Sequence, residues 1–402
     1  MRFLSRAVIL AFACFSLSGQ SVARAAPGHR AIAGSVGNCV PGRACTHPLP
    51  VRVVIVTMFE IGADSGDAAG EFQLWKERRH LDTRIPFPQS HHDLWYDPAT
   101  QTLGMVTGVG NIKSATATLA LGLDQRFDLR RAYWLVAGIA GIDPARASVG
   151  SAAWAHYLVD GDLAHEIDPR EMPGDWKSGY FPLHGKSPDD TAPPVFEGEM
   201  FEINPALQEW AYALTKDIKL PDDPGIQAER ARYSDTPMAQ RPPFVLKGDQ
   251  LAASTYWHGK LLTEWARDWT RYWTGGKGEF VTSAMEETGT YQSILYLDRI
   301  GRADKNRFMV LRAGSNYTMQ PPGLTAAENL QRENGGYAGL HAALESLYIV
   351  GSRVIDEIET HWDRYEKTVP KPRVLSSVRP EDSRSAYSGP ARPLRSARGQ
   401  PA

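Results

Sequence analysis

The chain has 402 residues, of which 42% are hydrophobic, and its 44 basic and 46 acidic side chains leave a net charge of −2. That length suits one large domain or two average ones, and the balanced charge argues against a surface built for broad nucleic-acid contact. No window after the N-terminus supplies the roughly 20 apolar residues of a membrane span. The most apolar one, residues 132–159, is interrupted by Asp143, Pro144, Arg146 and His156.

The N-terminus has the form of an export signal. Met1-Arg2-Phe3-Leu4-Ser5-Arg6 is basic, residues 7–17 form a short apolar core, and Ala23-Arg24-Ala25 is a small-x-small cleavage site. Residues 1–25 are therefore expected to be a signal peptide, and the mature protein to be periplasmic or secreted. Cys14 leaves with the signal, and Cys39 and Cys45 remain as a pair within the Gly- and Pro-rich segment 26–50. An oxidising compartment favours a disulfide between them, worth on the order of 2 to 3 kcal/mol for so short a loop.

Residues 51–57 (VRVVIVT) read as a fully buried strand, followed by a loop that carries Glu60. A carboxylate at the C-terminal end of a buried strand stands where open α/β sheets bind their ligands. Residues 72–81 look helical, and 94–96 and 102–106 look like antiparallel strands around a turn at Pro98. His91-His92-Asp93 lacks a third ligand at metal-binding spacing, so a metal site is not assigned there.

Thr107-Gly108-Val109-Gly110-Asn111 then links a strand to a helix over residues 112–123, where glycines let backbone amides approach a ligand. It is not the dinucleotide-binding pattern G-x-G-x-x-G, and no cofactor is implied. A second glycine turn, Gly138-Ile139-Ala140-Gly141 up to Pro144, is expected after a strand at 133–137. Val149-Gly150 should open another strand over 151–159. The alternation of strands, glycine turns and helices predicts an α/β sheet with a cleft at its carboxyl edge.

Beyond an irregular region, Asn204-Pro205 starts a helix reaching residue 216, with Phe201 just before it. Residues 245–250 end a strand in a polar turn, Gly248-Asp249-Gln250. Residues 257–274 form an amphipathic helix whose Trp265, Trp269 and Trp273 share one face, read as packing surface or a contact in a homodimer. Next come Met285, Glu286 and Glu287 between a strand and an apolar helical run at 291–297. Adjacent carboxylates there should point different ways, one into a cleft and the other at the helix start. A last buried strand over 307–313 ends in Gly314-Ser315-Asn316-Tyr317, and a final helix covers 339–358. From residue 367 the chain is rich in Pro, Ser and Arg and reads as a disordered basic tail.

This order of elements resembles the purine nucleoside permease family, whose sequences are similar to the superfamily of nucleoside phosphorylases and methylthioadenosine nucleosidases. The resemblance spans residues 51–358. It is carried by the strand and acid of 53–60, Thr107-Gly108-Val109-Gly110, Gly138-Ile139-Ala140-Gly141 with Pro144, Val149-Gly150, Gly248-Asp249-Gln250, Met285-Glu286 and Arg312-Ala313-Gly314-Ser315-Asn316. It implies one domain over 51–366 with a three-layer, nucleoside-phosphorylase-like α/β fold, a central mixed sheet flanked by helices.

The same resemblance implies roles for single residues. Met285 and Glu286 match the family's Met-Glu pair, whose carboxylate binds ribose hydroxyls. Phe201 falls where an aromatic stacks on the base, Asn316 where an Asp or Asn bonds the purine ring, and Glu60 near the acid that orients the attacking water. Gly108, Gly110, Gly138, Ala140 and Gly141 would line the cleft.

The arginines with which phosphorylases hold phosphate are missing from both glycine segments, so water is the expected nucleophile rather than phosphate. The expected function is an exported nucleosidase acting on purine nucleosides. The alternatives are a nucleoside-binding component of uptake without turnover, or a phosphorylase. No G-x-S-x-G elbow supports a Ser-His-Asp hydrolase.

Overall fold

In a strand, successive side chains face opposite sides, so a strand buried on both faces must feed two cores. The computed structural model, which describes residues 45–191 and 198–371, shows this in its central strands. Val53, Ile55, Tyr133, Leu135, Ala137, Met309 and Leu311 pack on one side against the helix Leu340–Thr360 and its neighbours Gln73–Arg78 and Pro205–Thr215. Val54, Val56, Trp134, Val136, Phe308 and Val310 pack on the other against the helices Asn111–Leu123 and Glu287–Arg299. The result is the expected α/β arrangement, a mixed sheet between layers of helices.

Among the described residues the main sheet has 12 strands. Its axis is Tyr133–Ile142, which pairs in parallel with Phe308–Tyr317 along nearly its whole length. On its other side two strands meet it end to end. Val53–Thr57 runs parallel to it as far as the pair Val56 and Val136, while Phe280–Ala284 runs antiparallel to it at Ser283 and Thr282, opposite Gly141 and Ile142. The carboxyl ends of these two strands therefore point at each other across residues 137–140, and that gap is where the cleft forms.

The second glycine turn is corrected by this pairing. Residues 138–142 continue the strand. Their glycines serve packing instead, because a Cβ on Gly138 would lie 2.2 Å from Nη1 of Arg312. The strand expected over 151–159 also divides. Ala152–Trp154 pairs with Phe308–Tyr317 and Val245–Lys247, whereas Tyr157–Asp160 pairs with Asp249–Ala252 and Met200–Glu202. Gly248-Asp249, expected as a turn, is the matching switch in the neighbouring chain segment. Asp249 holds the fork by accepting from the Tyr157 N–H at 2.8 Å and the Glu279 N–H at 2.6 Å.

The expected pairing of Leu94–Asp97 with Thr102–Val106 is present. The helix at Asn204 is capped as expected, its side chain accepting from the N–H groups of Ala206 and Leu207. Trp265, Trp269 and Trp273 of the helix Lys260–Trp273 are buried against the sheet beside Val159, Leu251 and Phe280, so that face is packing surface within the chain.

Residues 367–371, assigned to the tail on composition, belong with the folded body because Val369 packs on the core. The proposed signal at 1–25, Cys39 and residues 372–402 lie outside the described residues, while Cys45 is disulfide-bonded. No helix among the described residues is long and apolar enough to cross a membrane.

Candidate functional site

The gap in the sheet leaves backbone groups of Tyr133–Ile142 without a strand partner on one side, and buried backbone groups need partners. Side chains supply them. The Ile139 N–H donates to Oε1 of Glu71 at 2.7 Å, and the Ile139 carbonyl accepts from Nη1 of Arg312 at 2.9 Å. Glu71 is also bound by the Met58 N–H, at 2.7 Å, where Val53–Thr57 ends. One carboxyl thus bridges the end of one strand and the open side of its neighbour, and one guanidinium lies beside it.

Arg312 gathers the acids of the opposing strand end. Its Nη2 donates to Oε2 of Glu286 at 2.8 Å, it pairs closely with Glu287, and its Nη1 stands 3.8 Å from Oε1 of Glu71. The adjacent carboxylates expected to diverge converge on one cation instead. Glu286 reaches it from the cap position of the helix Glu287–Arg299, and its Oε1 accepts from the Gly110 N–H at 3.0 Å. Gly110 adopts φ +99°, a left-handed value that glycine takes without strain and that turns this N–H toward the acid. Glu287, fully buried, also accepts from Nε2 of Gln250 at 3.2 Å.

Burial dominates the electrostatics here. It pushes the Glu71 carboxyl up to about 7, although Arg312 pulls the other way. Burial likewise raises Glu287. Arg312 is held fully protonated because the three carboxyls outweigh its own desolvation.

Above this cluster lies a cleft of about 190 Å³ lined by Met58, Phe59, Glu71, Val109, Ile139, Ala140, Gly141, Tyr256, Met285, Glu286, Arg312, Ser315, Asn316 and Tyr337, among others. Its far end is polar without being ionic. Asn316 Nδ2 donates to the Tyr256 hydroxyl at 2.9 Å and to Oε2 of Glu333 at 3.2 Å, and its Oδ1 accepts from the Ser315 hydroxyl at 3.0 Å. Glu333 ends the helix Ala326–Glu333, and burial raises its carboxyl to about 7 as well.

Of the residues expected from sequence, Ala140, Gly141, Met285, Glu286 and Asn316 come together in this cleft. Gly110 and Gly138 act behind it, one donating to Glu286 and the other making room for Arg312, while Gly108, beside Lys113 and His91, does not line it. Two expectations are corrected. Glu60 does not line the cleft. It caps the helix Gln73–Arg78, accepting from the N–H groups of Phe72 at 2.9 Å, Gln73 at 2.6 Å and Ile61 at 2.8 Å. Phe201 lies in the edge strand Met200–Glu202, edge-to-face on Tyr291 at 5.5 Å, and serves as core.

Glu71, Tyr256, Glu333 and Tyr337 were not anticipated, and Arg312 was quoted without a role. Glu71 carried one usable signal. It is the acid nearest the start of a short helix, after Glu60, Asp64 and Asp67, and a helix that needs only one cap leaves the other carboxyls for different work. At His91-His92-Asp93, His92 Nδ1 pairs with Asp64 at 2.5 Å, and no group of metal-binding side chains occurs among the described residues.

In curated relatives, the chain is 28% identical over 320 residues to a protein of Schizosaccharomyces pombe named as a probable purine nucleoside permease, covering 77% of this chain and 90% of that protein. It is 32% identical over 269 residues to a purine nucleoside permease of Candida albicans, covering 66% of this chain and 65% of that protein. Among solved structures, futalosine hydrolase of Helicobacter pylori aligns with 14% identity and a TM-score of 0.45, over 76% of this chain and 98% of that one. The 5′-methylthioadenosine/S-adenosylhomocysteine nucleosidase of Neisseria meningitidis aligns with 15% identity and a TM-score of 0.42, over 77% and 99%. The family model described as purine nucleoside permease (NUP) matches residues 50–370, and the chain belongs to that family.

Proposed function

We propose that this chain binds a purine nucleoside in the cleft and hydrolyses its N-glycosidic bond. The observation that carries the reading is Glu71. It is a buried carboxyl fixed by two backbone N–H groups, raised to about 7, and lining the same cleft as Glu286 and Asn316. A carboxyl that titrates near neutral pH is suited to take a proton from an attacking water, because general catalysis favours a pKa near the working pH. Each Glu71 oxygen accepts one backbone bond and retains a lone pair for that proton. Glu71 thus takes the water-orienting role that the sequence suggested for Glu60.

The remaining residues divide the substrate. Glu286 receives the ribose hydroxyls beside Met285, and Asn316 addresses the base. Glu71, Glu286 and Glu287 share the single guanidinium of Arg312, and this concentration of carboxyls against the sugar favours a transition state of oxocarbenium character. Phosphate is disfavoured as the nucleophile, since the one arginine among the described cleft residues is already paired with carboxylates. Export through residues 1–25 belongs to the same reading.

The second reading is nucleoside capture for uptake without turnover. It is favoured by the names of the curated relatives and by the fact that both oxygens of Glu286 are already engaged, as in a rigid receptor. Incubation of purified protein with inosine, adenosine and guanosine, with and without phosphate, separates the two. Free base without phosphate is expected. Calorimetric binding with no base released leaves uptake alone, and absence of binding overturns both.

A further inference from the structure

We propose that Tyr256, backed by the Glu333 carboxyl, is the proton donor to the departing purine. The inference rests on the hydrolytic reading above. A purine leaves as an anion unless a ring nitrogen is protonated, so hydrolysis needs an acid at the base end of the cleft.

Asn316 cannot be that acid, because an amide has no proton to give. Its N–H groups are also engaged, by Tyr256, Glu333 and the Tyr317 carbonyl, which leaves one lone pair of the carbonyl that accepts from Ser315 to meet the base. Tyr256 is different. It lines the cleft, is 44% exposed, and donates its hydroxyl to Oε2 of Glu333 at 3.3 Å; burial and that carboxyl raise the phenol, so it gives up its proton only as Glu333 supplies another.

The surroundings of Glu333 keep a proton available. Its Oε1 accepts from Asn329 Nδ2 at 2.9 Å. His258 Nδ1 lies 3.8 Å from its Oε2, and burial lowers that imidazole to about 4, so it is neutral at neutral pH. Arg332, the adjacent cation, is committed to Glu229 through bonds of 2.6 and 2.7 Å. Tyr233 donates to the Met319 carbonyl, and Tyr337 bonds to Tyr256 on the cleft side. No free cation faces Glu333 among the described residues, and its carboxyl holds its proton up to about pH 7. When protonated it donates to the Tyr256 oxygen, and the phenolic hydrogen turns into the cleft.

The step then balances. The C1′–N9 bond breaks with its electron pair going to the purine. The water oxygen bonds to C1′ and gives one proton to Glu71. The purine takes the Tyr256 proton at N7, and Tyr256 takes the proton of Glu333. Glu71 ends protonated and Glu333 ionised, and exchange with solvent resets both.

An N7-methylated nucleoside already carries its positive charge on the leaving group and needs no such acid. Base release from guanosine and 7-methylguanosine is therefore measured for the full chain and for Glu333→Gln and Tyr256→Phe. Each variant is expected to slow guanosine by about 100-fold or more while changing 7-methylguanosine by less than roughly threefold. The alkaline limb near pH 7 in the guanosine profile is expected to vanish in Glu333→Gln, and the double variant to be no slower than Tyr256→Phe alone.

Equal slowing of both nucleosides, or no slowing of guanosine by either variant, overturns the donor role while leaving hydrolysis standing. If the unmodified protein releases base from neither nucleoside, the hydrolytic reading fails and the donor role falls with it.

Discussion

Around Glu71 and Arg312 three carboxyls share one guanidinium, all of it sealed between strand ends, so each charge is fixed by another charge. Around Glu333 one carboxyl is surrounded by a phenol, two amides and a neutral imidazole, so its state is set by desolvation with little ionic compensation. Both acids titrate near 7, yet for different reasons. Arg312 restrains the first directly, whereas the cation beside the second, Arg332, is committed to Glu229. In the hydrolysis proposed above, the two ends of one cleft separate their tasks, one holding the fold and the sugar, the other handling a proton.

The largest effect expected of this difference is on stability. Removing one partner of a buried ion cluster leaves uncompensated charge, which typically costs about 3–5 kcal/mol. Arg312→Met is expected to lose that much in urea denaturation, and adding Glu287→Gln to recover part of it. Glu333→Gln should fall well short of such a loss. Equal losses at the two ends would dissolve the distinction.

The pH dependence comes next. Glu71 has a folded-state pKa of about 7 against an ordinary value of 4.5. Between those values the native state binds more protons than the unfolded chain, so stability is greatest below about 4.5 and falls as pH rises toward 7. The contribution is up to about 3 kcal/mol. Glu333 has the same sign, while His258, lowered to about 4, has the opposite sign over its own range. Comparing Glu71→Gln with the parent across pH 4.5 to 7.5 cancels the shared terms, and the variant is expected to show the flatter curve.

Much of the layer order was legible in the sequence, because strands such as Val53–Thr57 are apolar at all positions but the last and helices such as Pro205–Thr215 carry their own cap. A strand-to-helix junction with adjacent acids marked Glu286 and Glu287 and a strand end marked Asn316, but Met285 and the choice of Glu286 came from the resemblance to the family. What was hidden depends on partners distant in the chain. Gly138-Ile139-Ala140-Gly141 looks like a turn locally and becomes strand because Phe308–Tyr317 pairs with it. Tyr256 and Glu333 sit in segments with no motif, and only the packing of a late helix brings them to Asn316. Phe201 was misplaced because an aromatic before a helix has the same local appearance whether it meets a ligand or Tyr291.

A smaller effect concerns the room made for the guanidinium. A Cβ at Gly138 would meet Nη1 of Arg312 at 2.2 Å and Oε1 of Glu71 at 2.8 Å. Gly138→Ala is expected to cost about 1–3 kcal/mol through overpacking, and to raise KM for nucleoside because Arg312 and Glu286 are displaced together. A variant with unchanged stability and KM would show that the cluster is loosely held.

The smallest expected change distinguishes two of the acids before the first helix, Glu60 and Glu71. Glu60 receives several backbone N–H bonds at the start of Gln73–Arg78, whereas Glu71 lines the cleft. Replacing a helix cap costs about 0.5–2 kcal/mol, so Glu60→Ala is expected to lower the urea midpoint modestly while the protein at 20 °C still releases base at a rate close to the parent's. Glu71→Gln should do the reverse, gaining stability near pH 7, where the parent pays for burying a charge, and losing turnover by about 100-fold or more. If Glu60→Ala instead loses turnover without losing stability, the water-orienting acid is Glu60 after all, and the proton balance between the two ends of the cleft has to be redrawn from there.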